Sequence, residues 1–195
     1  MSPSEDTYSD ESGEYLPLLK LHLGGRIRMP GWTSFDIAPG PGVDVVGDCR
    51  DLSHYADETV DLVYASHILE HLSYGTEIVP ALKEWRRVLL PGGTLKVSVP
   101  DFETLCRLFV RPDLNRDERN CVMRMVFGGQ VDAHDYHRAG LDFEILSAAL
   151  EMAGFTGIKR VARLGEFDDT STLSFKGVPI SLNVSAWKPL PPSSL

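Results

Sequence analysis

Six histidines occur in the chain, and four of them stand in two short motifs whose residue types could do chemistry. The first, His67-Ile68-Leu69-Glu70-His71, holds two imidazoles and a carboxylate. The second, His134-Asp135-Tyr136-His137-Arg138, holds two imidazoles beside an acid. Imidazole exchanges protons near neutral pH, so either motif could supply a general base. Both also contain metal-ligand types. The letters HxxEH match a zinc-hydrolase pattern that needs the middle of a long helix and a third ligand further on. Here the motif directly follows an apolar run and is broken by Ser73-Tyr74-Gly75, which reads as a strand-end turn into a short helix. Glu70 is then expected to fix that turn by hydrogen bonding. The spacing of His134, Asp135 and His137 is not diagnostic, and no metal is assigned. Their segment follows Gly128-Gly129 and precedes an amphipathic helix, so it reads as a lid over a pocket or as a capped surface loop.

A second pattern is spread along the first half of the chain. Short apolar runs end successively at Gly24, Asp36, Asp48 and Ser66. Open parallel α/β sheets bind ligands just beyond the carboxyl ends of their strands. Small and polar residues at four such ends can therefore surround one ligand. Asp36 and Asp48 taken singly could be ordinary loop-initiating acids; their joint placement favours ligand contact.

The elements that must position these residues follow from pattern and punctuation. Strands are expected at 18–23, 32–37, 43–46, 61–65 and 94–99, and two more at 158–164 and 181–187. Ile78, Leu82, Trp85 and Leu89 fall at helical spacing, with Pro80 in the first turn and Pro91-Gly92 as the stop. Trp85 is expected in the core, and Arg86 and Arg87 on a solvated face. Further helices are expected at 102–110 and 115–127, and a last one opens at Asp142 as N-cap and closes at Gly154. Between Gly25 and Trp32 there is no room for a crossover helix, so a loop must join the first two strands. The segment 165–179 is long enough for a hairpin excursion.

Length and composition bound the rest. With 195 residues and 43% apolar content, the chain can build one substantial core. The division expected is an acidic disordered leader at 1–15, a single domain at 16–189 and a flexible tail at 190–195. A formal charge of −9 disfavours a nucleic-acid groove. No apolar run reaches bilayer length, and the N-terminus lacks the order of a signal peptide. Cys49, Cys106 and Cys121 are widely spaced and fit buried thiols of a reducing compartment, so a cytoplasmic location is expected.

With these residues laid out, LHLGG…PGWTSFD, VGDCRDL, ASHILEHL and RVLLPGGTLKVSVPD resemble class I S-adenosylmethionine-dependent methyltransferases. The closest pattern is the small bacterial branch of methyltransferase type 11 with a degenerate glycine motif. The resemblance covers about Leu21 to Asp101 and extends more weakly through HDYHRAGLDFEILSAALEMAGF. It implies a Rossmann-like α/β sheet of seven strands, mostly parallel, with one antiparallel strand, here with an abbreviated first crossover. Carried over by position, Gly24 and Gly25 would form the turn under the methionine part of the cofactor. Asp36 would hold the ribose hydroxyls, Asp48 and Cys49 would lie along the adenine, and Ser66 with His67 would face the methyl group. The chain departs from the family turn at His22, Arg26 and Arg28; an arginine there, Arg26 first, could pair with the cofactor's carboxylate.

The function this implies is methyl transfer from S-adenosylmethionine to a small-molecule acceptor, with a sugar, glycan or secondary-metabolite intermediate preferred. His67 is the first candidate base, and His137 and His134 follow. Two alternatives carry different chemistry: a cofactor-binding module without catalysis, and a metal-dependent hydrolase using HxxEH.

Overall fold

A computed structural model describes residues 7–9 and 15–192. Most of the expected leader, and the last three residues of the expected tail, lie outside them. Within the leader, β1 (Thr7–Ser9) pairs antiparallel with β2 (Tyr15–Pro17). The sheet proper begins with β3 (Leu19–Leu23), β4 (Trp32–Asp36), β5 (Val45–Val46) and β6 (Val60–Ser66). After α1 (Ile78–Val88) comes β7 (Leu89–Pro100), then α2 (Phe102–Phe109), α3 (Arg116–Phe127) and α4 (Phe143–Met152). β8 (Thr156–Arg160), the small hairpin β9 (Ser174–Phe175) and β10 (Val178–Pro179), and β11 (Ser181–Trp187) complete the chain.

Seven strands form the main sheet in the order β5-β4-β3-β6-β7-β11-β8. The first five run parallel, and β11 lies antiparallel to both β7 and β8. The order reverses between β3 and β6, which places the switch point beside Gly24 and Ser66. The expected sheet is therefore the observed one. The strands differ from expectation mainly at their ends: β5 is shorter than 43–46, and β7 starts at Leu89 directly after α1. Pro91 and Gly92 accordingly lie within the strand, and the helix stops three residues earlier, at Val88.

One face is covered in the usual way. α1 turns Ile78, Ala81, Leu82, Trp85 and Val88 inward, and α4 adds Leu146 and Leu150, over Leu21, Leu23, Phe35, Val63, Leu95 and Val97. Asp142 caps α4 as expected, accepting from the Ile145 main-chain N–H at 2.8 Å. The opposite face carries His22, Trp32 and Tyr64, and no crossover helix exists there. Instead the chain after β8 folds back, and Phe167 and Leu164 seal it. Phe167 lies 4.0 Å from the His22 ring centre and 4.9 Å from those of Trp32 and Tyr64.

The arginines expected on a solvated face are structural. Arg86 Nε donates to the Gly154 carbonyl at 3.0 Å. Arg87 pairs with Glu84 and Asp57 and donates to the carbonyls of Leu52 and Tyr55. Their long side chains tie the loop after β5 and the end of α4 to α1.

Trp85 links this core to the strand-end loops, because its indole N–H donates to the Cys49 carbonyl at 2.7 Å. Trp85→Phe removes that donor, strands a carbonyl and leaves a void. Urea unfolding should show a loss of about 2 kcal/mol; an unchanged midpoint would remove this link.

Candidate functional site

At the carboxyl ends of β3, β4 and β5 the structure opens a cavity of about 520 Å³. That size suits a cofactor or metabolite. Its floor is small and apolar by necessity. Gly24 has φ +69, and a Cβ there would fall 2.0 Å from Ile68 Cδ1. A Cβ at Gly47 would fall 2.5 Å from Phe35 Cζ. Ile68, Leu72 and Phe35 supply the apolar walls.

Two carboxylates enter from the strand ends, and each meets an arginine. Asp36, whose side chain is only 8% exposed, accepts the Ala38 N–H at 2.9 Å. It also receives Arg26 in a forked pair, Nε to Oδ2 and Nη2 to Oδ1, both at 3.2 Å. Asp48 pairs with Arg50, which also reaches Glu77. Hydrogen bonds from Arg50 hold the Asp48 carboxyl below its ordinary range. The far wall comes from a strap between α3 and α4, through Ala133, His134, Tyr136 and Arg138. Main-chain bonds fasten this strap to the turn after β6, with Arg138 and Ala139 N–H groups donating to the Glu70 carbonyl at 2.7 and 3.2 Å.

Residues 34–97 match a family model described as a methyltransferase domain. Solved structures agree over most of the chain. A SAM-dependent methyltransferase from Archaeoglobus fulgidus superposes with a TM-score of 0.55 at 17% identity, covering 88% of this chain and 86% of that one. Another from Thermotoga maritima gives 0.56 at 20%, covering 89% and 84%. The fold is that of class I S-adenosylmethionine-dependent methyltransferases, and residues 34–97 are similar to a methyltransferase domain. A Bordetella parapertussis protein described as a possible exported protein gives 0.53 at 16%; 87% of this chain aligns, but it spans only 61% of that protein's length. No curated protein matches the sequence.

Within this fold, five of the seven residues expected to hold the cofactor line the cavity: Gly24, Arg26, Asp36, Asp48 and Cys49. Gly25 does not. A Cβ there would strike the His22 ring at 2.4 Å, so its small size serves the aromatic cluster. Ser66 is also displaced: its hydroxyl meets Thr170 Oγ1 at 3.1 Å, under the folded-back segment.

The three expected bases separate. His134 lines the cavity. His67 lies behind it, with φ +57, and burial lowers its pKa to about 4. His137 is turned inward beside Glu70, at 4.0 Å. The HxxEH letters do not make the helical pair of a zinc hydrolase, because only Leu69–His71 is helical, as a single 3-10 turn. Nor does the Glu70 carboxyl fix the turn by hydrogen bonding: it is 1% exposed and neither oxygen has a hydrogen-bond partner.

The sequence reading named none of Arg50, His71 and Glu77 as cavity residues, and reached Tyr136 and Arg138 only within the segment read as a lid or a capped surface loop. Arg50 follows Asp48 and Cys49 directly, a signal that was available. The others come from a turn, a helix start and a strap whose meeting depends on tertiary folding.

Cys49 illustrates how tightly the floor is closed. Burial first, and then the Asp48 carboxylate, push its thiol up to about 12, whereas Cys106 and Cys121 are exposed. Iodoacetamide at pH 8 should alkylate Cys106 and Cys121 and spare Cys49 in the native protein. Peptide mapping that finds Cys49 modified as fast as the other two would contradict this closure.

Proposed function

We propose that this chain transfers a methyl group from S-adenosylmethionine to a small polar acceptor. The observation that carries the reading is the cavity at the switch point, where Gly24, Asp36, Asp48 and Cys49 converge. These residues fit the cofactor. Gly24 leaves main chain bare where a methionine moiety must come close. Asp36 is a buried acceptor suited to ribose hydroxyls. Phe35, Ile68 and Leu72 offer apolar surface for an adenine. The bound cofactor supplies an electrophilic methyl on a sulfonium, with a neutral thioether as leaving group.

For the rest, this chain must hold and align the acceptor, which alone can remove several kcal/mol from the barrier. The strap wall is polar, with His134, Tyr136 and Arg138, and Arg50 and Glu77 stand opposite. Such donors and acceptors suit a hydroxylated acceptor of the sugar or glycan-intermediate type. His134 is the base for the proton that a hydroxyl or ammonium acceptor must lose.

The Arg26–Asp36 pair favours a second reading, a module that binds the cofactor's product and transfers nothing. Arg26 occupies the carboxylate that the ribose needs. Its side chain is 60% exposed while that of Asp36 is 8% exposed, and Asp36 keeps the Ala38 N–H when the arginine moves away. Arg26 can therefore leave Asp36 as the cofactor enters and turn to the methionine carboxylate.

Calorimetry with S-adenosylhomocysteine is the direct test. Ligand at about 100 times its dissociation constant should raise the melting temperature by about 5–10 °C. Asp36→Asn should weaken binding by about 10–100-fold, because a charged acceptor is lost. Absent binding would overturn the cofactor site. Binding without consumption of S-adenosylmethionine, across a panel of sugar and hydroxylated acceptors, would favour the silent module. With a turned-over acceptor, His134→Ala should lower kcat by about 100-fold.

A further inference from the structure

The two histidine motifs meet inside the protein. Leu69–His71 forms a tight turn after β6, and the strap lays His137 against it. Ligand atoms of Glu70, His71 and His137 all lie within 4.8 Å of one another. His67 Nδ1 approaches the same carboxylate at 3.4 Å. At the centre is Glu70, 1% exposed, with both oxygens lacking a hydrogen-bond partner.

The protons on these rings can be assigned from their outer partners. His71 Nδ1 lies 3.2 Å from the Tyr136 carbonyl. A carbonyl only accepts, so Nδ1 carries the hydrogen and Nε2 presents a lone pair. His67 Nε2 lies 3.0 Å from Ser181 Oγ, and that hydroxyl donates to the Thr170 carbonyl at 2.8 Å. The hydroxyl proton is thus used, so His67 Nε2 donates and Nδ1 presents its lone pair to Glu70. His137 turns Nε2 toward Glu70, at 4.0 Å, while the main chain of Val126 and Met125 faces its ring.

Lone pairs from imidazole therefore converge on a buried carboxylate with no hydrogen bond between them. A single proton on Glu70 can satisfy one of these acceptors and leaves the others bare. An ionised, unpartnered Glu70 would cost several kcal/mol. A divalent cation satisfies Glu70, His71 and His137 together, and an outer carbonyl such as that of Tyr136 is the kind of partner that orients a metal-bound histidine.

We propose that Glu70, His71 and His137 bind a first-row divalent cation of the zinc type, in a four-coordinate site whose fourth position is open to a water. The ligand types are those of zinc, with metal–nitrogen and metal–oxygen distances of about 2.0–2.2 Å. Tetrahedral ligands at those distances stand roughly 3.3 Å apart, so the cluster must contract slightly around the ion. The cation staples the strap to the turn after β6. His71 belongs both to this set and to the cavity wall, and the strap carries Tyr136 and Arg138. Cation binding therefore sets the shape of one side of the cavity, and the assignment does not depend on methyl transfer.

The test uses the full chain, with any affinity tag removed, dialysed against metal-free buffer after loading with zinc chloride. Mass spectrometry of the metal content should find about one equivalent of zinc. Loading with cobalt(II) instead should give the strong visible absorption of a tetrahedral centre. Glu70→Gln, nearly isosteric, and His137→Ala should each lose the metal and the cobalt band, while His54→Ala, on the surface, keeps both. A chelator should lower the melting temperature of the wild-type protein and leave Glu70→Gln unmoved, and it should speed hydrogen exchange in the strap. A wild-type protein that retains no zinc and gives no cobalt band overturns the site. So does a Glu70→Gln variant that keeps its metal. S-adenosylhomocysteine calorimetry on the same samples reads the cofactor site separately.

Discussion

Parallel strands normally need a crossover of a dozen or more residues, and β3 and β4 pair in parallel across residues 24–31 alone. Much of the site's arrangement follows from this short link. With no helix to cover it, the sheet face bearing His22, Trp32 and Tyr64 must find another lid. It finds Phe167 and Leu164 from the chain after β8. That fold-back brings Asp169 to Tyr64, whose hydroxyl donates to it at 2.8 Å, and it presses Thr170 onto Ser66. The same short link turns Arg26 back across the end of β4, where it meets Asp36. One short link thus keeps Ser66 out of the cavity and puts an arginine against the expected ribose acid.

The histidine at position 22, where the resemblance leads one to expect an acid, fits this same packing. An ionised acid could not be buried among Trp32, Tyr64 and Phe167 without heavy desolvation. Histidine can, because it loses its charge: burial lowers its pKa to about 4. Its ring then excludes any side chain at Gly25. In the family pattern a glycine at this point reads as an approach for the cofactor. Here, only Gly24 lines the cavity, and Gly25 answers to packing. The cavity is accordingly built from fewer main-chain contacts and more paired side chains than the glycine-rich turn would give.

What could be read from the sequence were the features set by local periodicity and by residues at strand ends. The sheet, the missing helix, α1, the Asp142 cap and β11 all carry their signals within a few residues. Asp36, Asp48 and Cys49 reach the cavity because parallel strands end on one edge whatever the loops do. The misplaced residues share a different origin. His67 adopts a left-handed backbone at the strand end, which turns its ring into the protein, and no pattern in HILEH announces that turn. Arg86 and Arg87 resemble a solvated pair by spacing, but their partners at Gly154, Leu52 and Asp57 lie far away in the chain. His71, Tyr136 and Arg138 enter the wall only once the strap docks.

The docked strap also explains why two motifs, each weak alone, deserve to be read as one. HILEH lacks a long helix and HDYHR lacks diagnostic spacing, so neither is a metal sequence by itself. Their meeting point is fixed by main-chain bonds from Arg138 and Ala139 to Glu70, which act whether or not a ligand is present. Once those bonds form, Glu70 is buried at 1% exposure with His67, His71 and His137 around it. A polar group so costly to bury persists where something else compensates it. In this molecule the compensation lies one residue from the cavity wall, so the partner of Glu70 and the shape of the candidate active site are set by the same turn.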